Sequence, residues 1–320
     1  MSEREILRIK NLVMHYWTLR GFVRAVDDVS LNLNRGEALG LVGESGCGKT
    51  STMLTLLRLL PNNAHVFKGS IMFEGKDLLK MPMSEFNKTI RWKKISVIFQ
   101  GAMNALHPML TVGDQLVEAI TLHEKVNKTE ALDRAGKLLD LVGVGRSRLD
   151  RYPHELSGGL KQRSVIAMSL ACNPDLIIAD EPTTALDVII AAQVLNVMKE
   201  LQKKLNISLI VVTHDLSMVA EVCNKIAIMY AGKIVETGDI VKVFKDPKHP
   251  YTQGLLGAFP SIVGPKRELK SIPGFPPDLL NPPSGCRFYP RCPYAMEICR
   301  KKTPPVVRVE SGWEVSCHLY

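Results

Sequence analysis

Residues Ile6 to Tyr16 mix apolar and polar positions in the manner of a half-buried strand, with Ile6, Ile9, Leu12 and Val13 set against Arg8 and Asn11. A second strand is predicted around Val26 to Leu33. The turn Asn34-Arg35-Gly36-Glu37 then leads into Ala38-Leu39-Gly40-Leu41-Val42, a short apolar run that reads as a buried strand. Ser51 to Leu60 reads as a helix, Pro61-Asn62-Asn63 as its break, and Gly69 to Phe73 with Glu74-Gly75 as strand and turn. Ile95 to Phe99 is another strand, ending at Gln100. The period then lengthens. Val112, Leu116, Val117 and Ile120, followed by Ala131, Ala135, Leu138, Leu139 and Val142, recur at three and four residues, which predicts a helical insertion over about 101–160.

Ser157-Gly158-Gly159 caps a further helix through Val165 and Leu170. Leu176-Ile177-Ile178-Ala179 is a continuous apolar strand that delivers Asp180 and Glu181 at its carboxyl end. Ser208 to Val212 ends in Thr213-His214-Asp215 in the same way. Strands alternating with helices imply an α/β fold with a mostly parallel, doubly wound sheet, preceded by an N-terminal antiparallel β part. In such a sheet ligands bind beyond the carboxyl ends of the strands, so these groups aim at one crevice. The character shifts past Phe244. Pro265, Pro273, Pro276, Pro277, Pro282 and Pro283 forbid long regular structure, and the predicted organisation is a core domain over 1–262 and a small appended one over 263–320.

The core's phosphate chemistry is carried by Gly43-Glu44-Ser45-Gly46-Cys47-Gly48-Lys49-Thr50, which fits G-x-x-x-x-G-K-[ST] between a predicted strand and a predicted helix. Glycines let the backbone N–H groups turn inward on a polyphosphate at a helix N-terminus. Lys49 adds a point charge for the outer phosphates, and the Thr50 hydroxyl suits Mg²⁺. Tyr16, Trp17 and Phe22 lie near a polar turn, where they either stack on a flat ring such as adenine or pack on a sheet face.

At 320 residues the chain is long enough for more than one domain. No window supplies the run of about eighteen apolar residues that spans a bilayer, and MSEREILRIK lacks the apolar stretch of a secretory signal, so the expected setting is cytoplasmic. The 41 Lys and Arg exceed the 32 Asp and Glu, for a net charge of +9. That bias suits nucleic acid, anionic headgroups or phosphate ligands. It is spread along the chain, and its densest cluster, Arg91-Trp92-Lys93-Lys94, reads as a solvated face; no nucleic-acid partner is expected. Cys286, Cys292, Cys299 and Cys317 crowd the C-terminus, where four thiolates could hold zinc or a [4Fe–4S] cluster. Cys47, Cys172 and Cys223 read as small packing residues.

Together the phosphate loop, Gln100, Leu156-Ser157-Gly158-Gly159-Leu160-Lys161-Gln162, Asp180-Glu181, Ala185-Leu186-Asp187 and His214 resemble the motif set of ABC transporter ATPase subunits. His249-Pro250-Tyr251-Thr252, Ile272-Pro273-Gly274-Phe275-Pro276-Pro277 and the cysteine region narrow the resemblance to the oligopeptide/dipeptide importer subfamily, over essentially the whole chain. The resemblance implies an ATPase with ATP, Mg²⁺ and, in some members, [4Fe–4S], zinc being the alternative. It implies that Tyr16 stacks on adenine, that Gly43 to Ser51 hold the phosphates, and that Thr50, Gln100 and Asp180 organise Mg²⁺. Glu181 would be the general base, His214 would contact the γ-phosphate, and Gln100 would link nucleotide to permease. Ser157, Gly158 and Gly159 would act at a nucleotide across a dimer interface, and Asp187 would be a further nucleotide-site residue. The implied partners are a second, different ATPase subunit, two transmembrane permease subunits and a solute-binding protein, at the cytoplasmic face of the membrane. The same machinery importing oligosaccharides or other solutes is the alternative. A soluble ATPase acting on nucleic acid or ribosomes is disfavoured by the single phosphate loop.

Overall fold

The computed structural model describes residues 4–258 and 271–320. Its N-terminal part is antiparallel: β1 (Glu5–Thr18) pairs with β2 (Gly21–Asn34) on one side and with β4 (Ala64–Phe73), which turns into β5 (Lys76–Asp77), on the other. Between them in sequence come β3 (Ala38–Val42) and α1 (Lys49–Leu57), which belong to the second sheet and its cover. After α2 (Met83–Thr89) and β6 (Ile95–Ile98), the chain leaves the sheet for α3 (Val112–His123) and α4 (Lys128–Leu141). Both helices open on the side-chain caps that their sequences offer, Thr111 accepting from Asp114 N–H and Asn127 from Glu130 N–H.

The chain returns through α5 (Gly158–Ser169), β7 (Leu176–Asp180), α6 (Val188–Leu205), β8 (Ser208–Thr213), α7 (Leu216–Val222), β9 (Lys225–Tyr230) and β10 (Lys233–Asp239). Then follow α8 (Ile240–Lys245), α9 (Pro250–Gly257), α10 (Glu297–Lys301), β11 (Val306–Glu310) and β12 (Trp313–Ser316). The large sheet has the order β11-β12-β10-β9-β3-β8-β7-β6, parallel from β9 to β6 and antiparallel from β9 to β11.

Parallel strands covered on both faces bury every residue, and β3, β7 and β8 are buried throughout. Alternate residues feed two cores. Leu39, Leu41, Ile178, Ile210 and Val212 face α1 and the antiparallel sheet, whereas Ala38, Val42, Ile177, Ala179, Leu209 and Val211 face the helical side. Each such Leu, Ile or Val contributes roughly 1.5–3 kcal/mol on burial. Register sets the site. Val42 is paired with Thr213 and Asp180 with Val212, so the segments after β3, β7 and β8 leave the sheet at one level.

The C-terminal segment departs from the expected picture of prolines without regular structure. β12 hydrogen-bonds to β10 through Glu236–Val315 and Thr237–Glu314, continuing the large sheet, and Phe288 and Trp313 join the helical-side core. The carboxylate of Glu236, 1% exposed, accepts from Lys248 N–H (2.9 Å), His249 N–H (2.9 Å) and Trp313 Nε1–H (3.0 Å). A core too small for the segment alone is thus replaced by a shared one. The expected boundary at 262/263 lies outside the described residues, as does Pro265. No described helix is long and apolar enough to cross a membrane.

Candidate active site

Between β3 and α1 the backbone passes so close to its neighbours that only glycine fits. A Cβ on Gly43 would lie 2.1 Å from the Met229 carbonyl oxygen, and one on Gly48 2.1 Å from that of Ala25. Gly48 also caps α1 in the left-handed region, at φ 107°. Ser45 and Gly46 form the exposed crest, while Cys47 is buried, its carbonyl accepting from Gly232 N–H at 2.7 Å. Lys49 lies across the loop, its Nζ donating to the carbonyls of Gly43 (2.6 Å) and Glu44 (3.0 Å). A lysine and the free N–H groups of a helix start, brought together by a tight loop, form a site for a polyphosphate.

Beside it stands the carboxyl end of β7. Asp180 accepts from the Thr50 hydroxyl at 3.0 Å. Burial pushes the Asp180 carboxyl above the usual range, the Glu181 charge adds to that, and Thr50 and Lys49 oppose it. A hydroxyl and a carboxylate in contact are oxygen donors of the kind that Mg²⁺ takes. Glu181 turns away from the strand at φ 46°, its N–H still donating to Val212 O (2.8 Å). Its Oε1 meets His214 Nδ1 at 2.8 Å, and its Oε2 accepts from Gln100 Nε2 at 2.9 Å and from Thr184 Oγ1 at 3.2 Å. Groups following β6, β7 and β8 therefore converge on one carboxylate. Gln100 reaches Glu181 here, and its side chain makes no hydrogen bond to Thr50 or Asp180. Thr184 belongs to no motif of the sequence; its only signal is a place three residues after Glu181, in the turn that begins there.

Tyr16 donates to Ser51 Oγ at 3.1 Å, beside the first turn of α1. Trp17 and Phe22 pack edge to face, 5.1 Å between centroids, and both are exposed. Ser157 is the N-cap of α5 but its side chain makes no capping bond, leaving the hydroxyl available to a ligand. A Cβ on Gly159 would come within 2.5 Å of Ile190. Among the described residues no hydrogen bond joins Ser157, Gly158 or Gly159 to the phosphate loop or to Glu181. Asp187 caps α6, accepting from Ile190 N–H at 2.9 Å. Gln162, on α5, donates to Pro182 O at 2.6 Å and so ties the serine-glycine turn to the end of β7.

Among the described residues no group of three or more His, Cys, Asp or Glu side chains is placed to hold a metal ion, so the structure lends no support to the expected [4Fe–4S] cluster or to its zinc alternative. The four thiols are neighbours: Cys286 is pushed up to about 11, mainly by burial, with Cys299, Cys317 and Cys292 adding to the shift. Cys47, Cys172 and Cys223 are buried packing residues, as the sequence suggested. What the C-terminal segment does supply is Arg291, whose guanidinium takes both oxygens of Glu44 at 2.7 and 2.9 Å. No sequence spacing pairs those two residues.

Comparison with known proteins agrees with this geometry. The chain matches the family described as ABC transporter over residues 26–184, and that described as oligopeptide/dipeptide transporter, C-terminal region, over residues 235–299. It is 48% identical to the oligopeptide transport ATP-binding protein OppD of Bacillus subtilis (strain 168), over 98% of this chain and 88% of that protein. It is 47% identical to the dipeptide transport ATP-binding protein DppD of the same organism, over 98% and 95%. Among solved structures, the dimeric post-hydrolysis state of the ATP-binding cassette MJ0796 bound to ADP and Pi superposes with a TM-score of 0.65 at 26% identity, covering 73% of this chain and 99% of that one.

Proposed function

Because the chain belongs to the ABC transporter family, as an ATP-binding subunit, we propose that it hydrolyses ATP to energise uptake of oligopeptides or dipeptides through a separate permease. One observation carries the cargo: the likeness to peptide-transport ATP-binding proteins extends over 98% of the chain and includes the C-terminal region. The general machinery is common to all cassettes; this region is not.

In this reading Lys49 releases the carbonyls of Gly43 and Glu44 and turns to the outer phosphates, which the amides from Ser45 to Ser51 also bind. Tyr16 offers its ring to the adenine. Thr50, Asp180 and Gln100 hold Mg²⁺, which when bound neutralises charge on the phosphate oxygens. Glu181 takes the proton of the attacking water, while His214 and Gln100 hold the carboxylate in place. Ser157, Gly158 and Gly159 serve a nucleotide bound by a second ATPase subunit, which agrees with the absence, among the described residues, of any hydrogen bond from them to this chain's own phosphate loop; Asp187 is a further nucleotide-site residue. The remaining partners are two permease subunits and a solute-binding protein, with this chain peripheral at the cytoplasmic face.

The test is co-reconstitution in liposomes with the permease, ATPase and binding-protein partners from its own source. ATP-dependent accumulation of labelled tri- to pentapeptides, lost in a Lys49→Ala complex, is the expected result. Hydrolysis accompanied by uptake of an oligosaccharide and not of peptides would overturn the cargo and leave the ATPase standing.

A further inference from the structure

Glu44 is the one acidic residue of the phosphate loop, and it is gripped from two places, the C-terminal segment and α9. Arg291 donates to both carboxylate oxygens, and the Tyr251 hydroxyl accepts the Glu44 N–H at 3.0 Å. The carbonyl of the same residue accepts from Lys49 Nζ. Three groups of one residue are thus tied: the carboxylate to the C-terminal segment, the N–H to α9 and the carbonyl to the phosphate-binding lysine.

The Arg291 side chain is only 5% exposed and has little freedom to be elsewhere. Its Nε donates to Pro273 O at 2.8 Å, and its guanidinium carbon lies 5.7 Å from the centre of the Tyr230 ring. Tyr230, Tyr251 and Phe288 pack against one another beneath it, with centroids 4.6 to 5.4 Å apart. A planar fork held by Pro273 and Tyr230 and presented to both oxygens of a carboxylate is a geometry that lysine cannot reproduce.

We propose that Arg291 is a positioning residue for the nucleotide site, neutralising and orienting Glu44 so that the phosphate loop accepts a polyphosphate. Without it, Glu44 keeps a full negative charge at the edge of a site built for several more. The nearest loop cation is Lys49, so the freed carboxylate both repels the phosphates and competes for the residue meant to bind them. The C-terminal segment thereby sets nucleotide affinity in cis, and any movement of that segment reaches the phosphate loop through one ion pair.

The experiment uses the full-length chain, with MgATP binding and steady-state hydrolysis measured side by side. Arg291→Met should raise both Kd and KM for MgATP about tenfold, the scale of one uncompensated charge near a bound polyphosphate, with kcat changed less than about twofold. Arg291→Lys, which keeps the charge and loses the fork, should fall between. In a Glu44→Gln background there is no carboxylate to neutralise, and the same Arg291→Met change should move KM by less than about twofold. A merely structural arginine would lower Tm and kcat together and would not be rescued by Glu44→Gln. That pattern, or an unchanged KM in Arg291→Met, overturns the proposal. Should Arg291→Met fail to fold, Arg291→Lys carries the same test: a KM raised about threefold that the Glu44→Gln background abolishes supports the proposal, and an unchanged KM, or a rise that persists in that background, overturns it.

Discussion

Replacing Glu181 with Gln separates the base from its scaffold, because the partners of this carboxylate are arranged so that an amide can take its place. Oε2 accepts from Gln100 and Thr184, and Oε1 faces His214 Nδ1. A glutamine amide can keep its oxygen toward the two donors and turn its NH₂ to His214, which accepts at Nδ1 when its proton is on Nε2. All three contacts survive, so the conformational cost should be about 1 kcal/mol or less. What disappears is proton acceptance, worth about 10²- to 10⁴-fold in rate, or roughly 2.7–5.5 kcal/mol of barrier. MgATP affinity should stay within about threefold of wild type. The assay is single-turnover hydrolysis beside equilibrium MgATP binding. Glu181→Ala, which strands the Gln100 and Thr184 donors, should lose the same rate and also alter binding. A Glu181→Gln rate within tenfold of wild type at undiminished affinity would refute the assignment of the base.

Glu236→Ala removes the acceptor for two buried N–H groups and one part-buried one and should destabilise the chain by about 3–5 kcal/mol, read from urea unfolding. Glu236→Gln sets an NH₂ against a backbone N–H whichever way it flips, and about 1–3 kcal/mol should still be lost. His249 is buried, and burial holds its imidazole down to about 3. Below about pH 6.5 the unfolded chain gains a proton that the fold refuses, so stability present above that pH should fall by about 1.4 kcal/mol per unit toward pH 3. His249→Asn, which can still cap α9 where Nδ1 now accepts from Tyr251 N–H, should flatten that part of the profile; an unchanged slope would locate the acid sensitivity elsewhere.

Much of this protein is legible in its sequence because the chemistry involved is local. Periods of two and of three to four separate β1, β2 and β3 from α3 and α4, since a strand or helix with one buried face must write that face into its sequence. Gly43 to Thr50 stand out because tight approach to a phosphate tolerates few residue types. Asp180-Glu181 and His214 do so because each follows an uninterrupted apolar run, Leu176 to Ala179 and Leu209 to Val212. None of this depends on distant partners.

Other features exist only once the chain has folded back on itself. The Glu181 cluster draws on residues 100, 181, 184 and 214, and the sheet's register decides that they meet. The proline-rich end reads locally as a separate, coreless unit. It instead borrows the large sheet through β12 and the phosphate loop through Arg291, 247 residues from Glu44. The four cysteines look like a ligand set by composition, but donors become a metal site only through the geometry the fold gives them, and among the described residues no group of three or more is placed to hold a metal ion. Sequence spacing specifies what lies within a turn or a strand; pairing, register and ion pairs over long separations are settled by which surfaces the cores bring together.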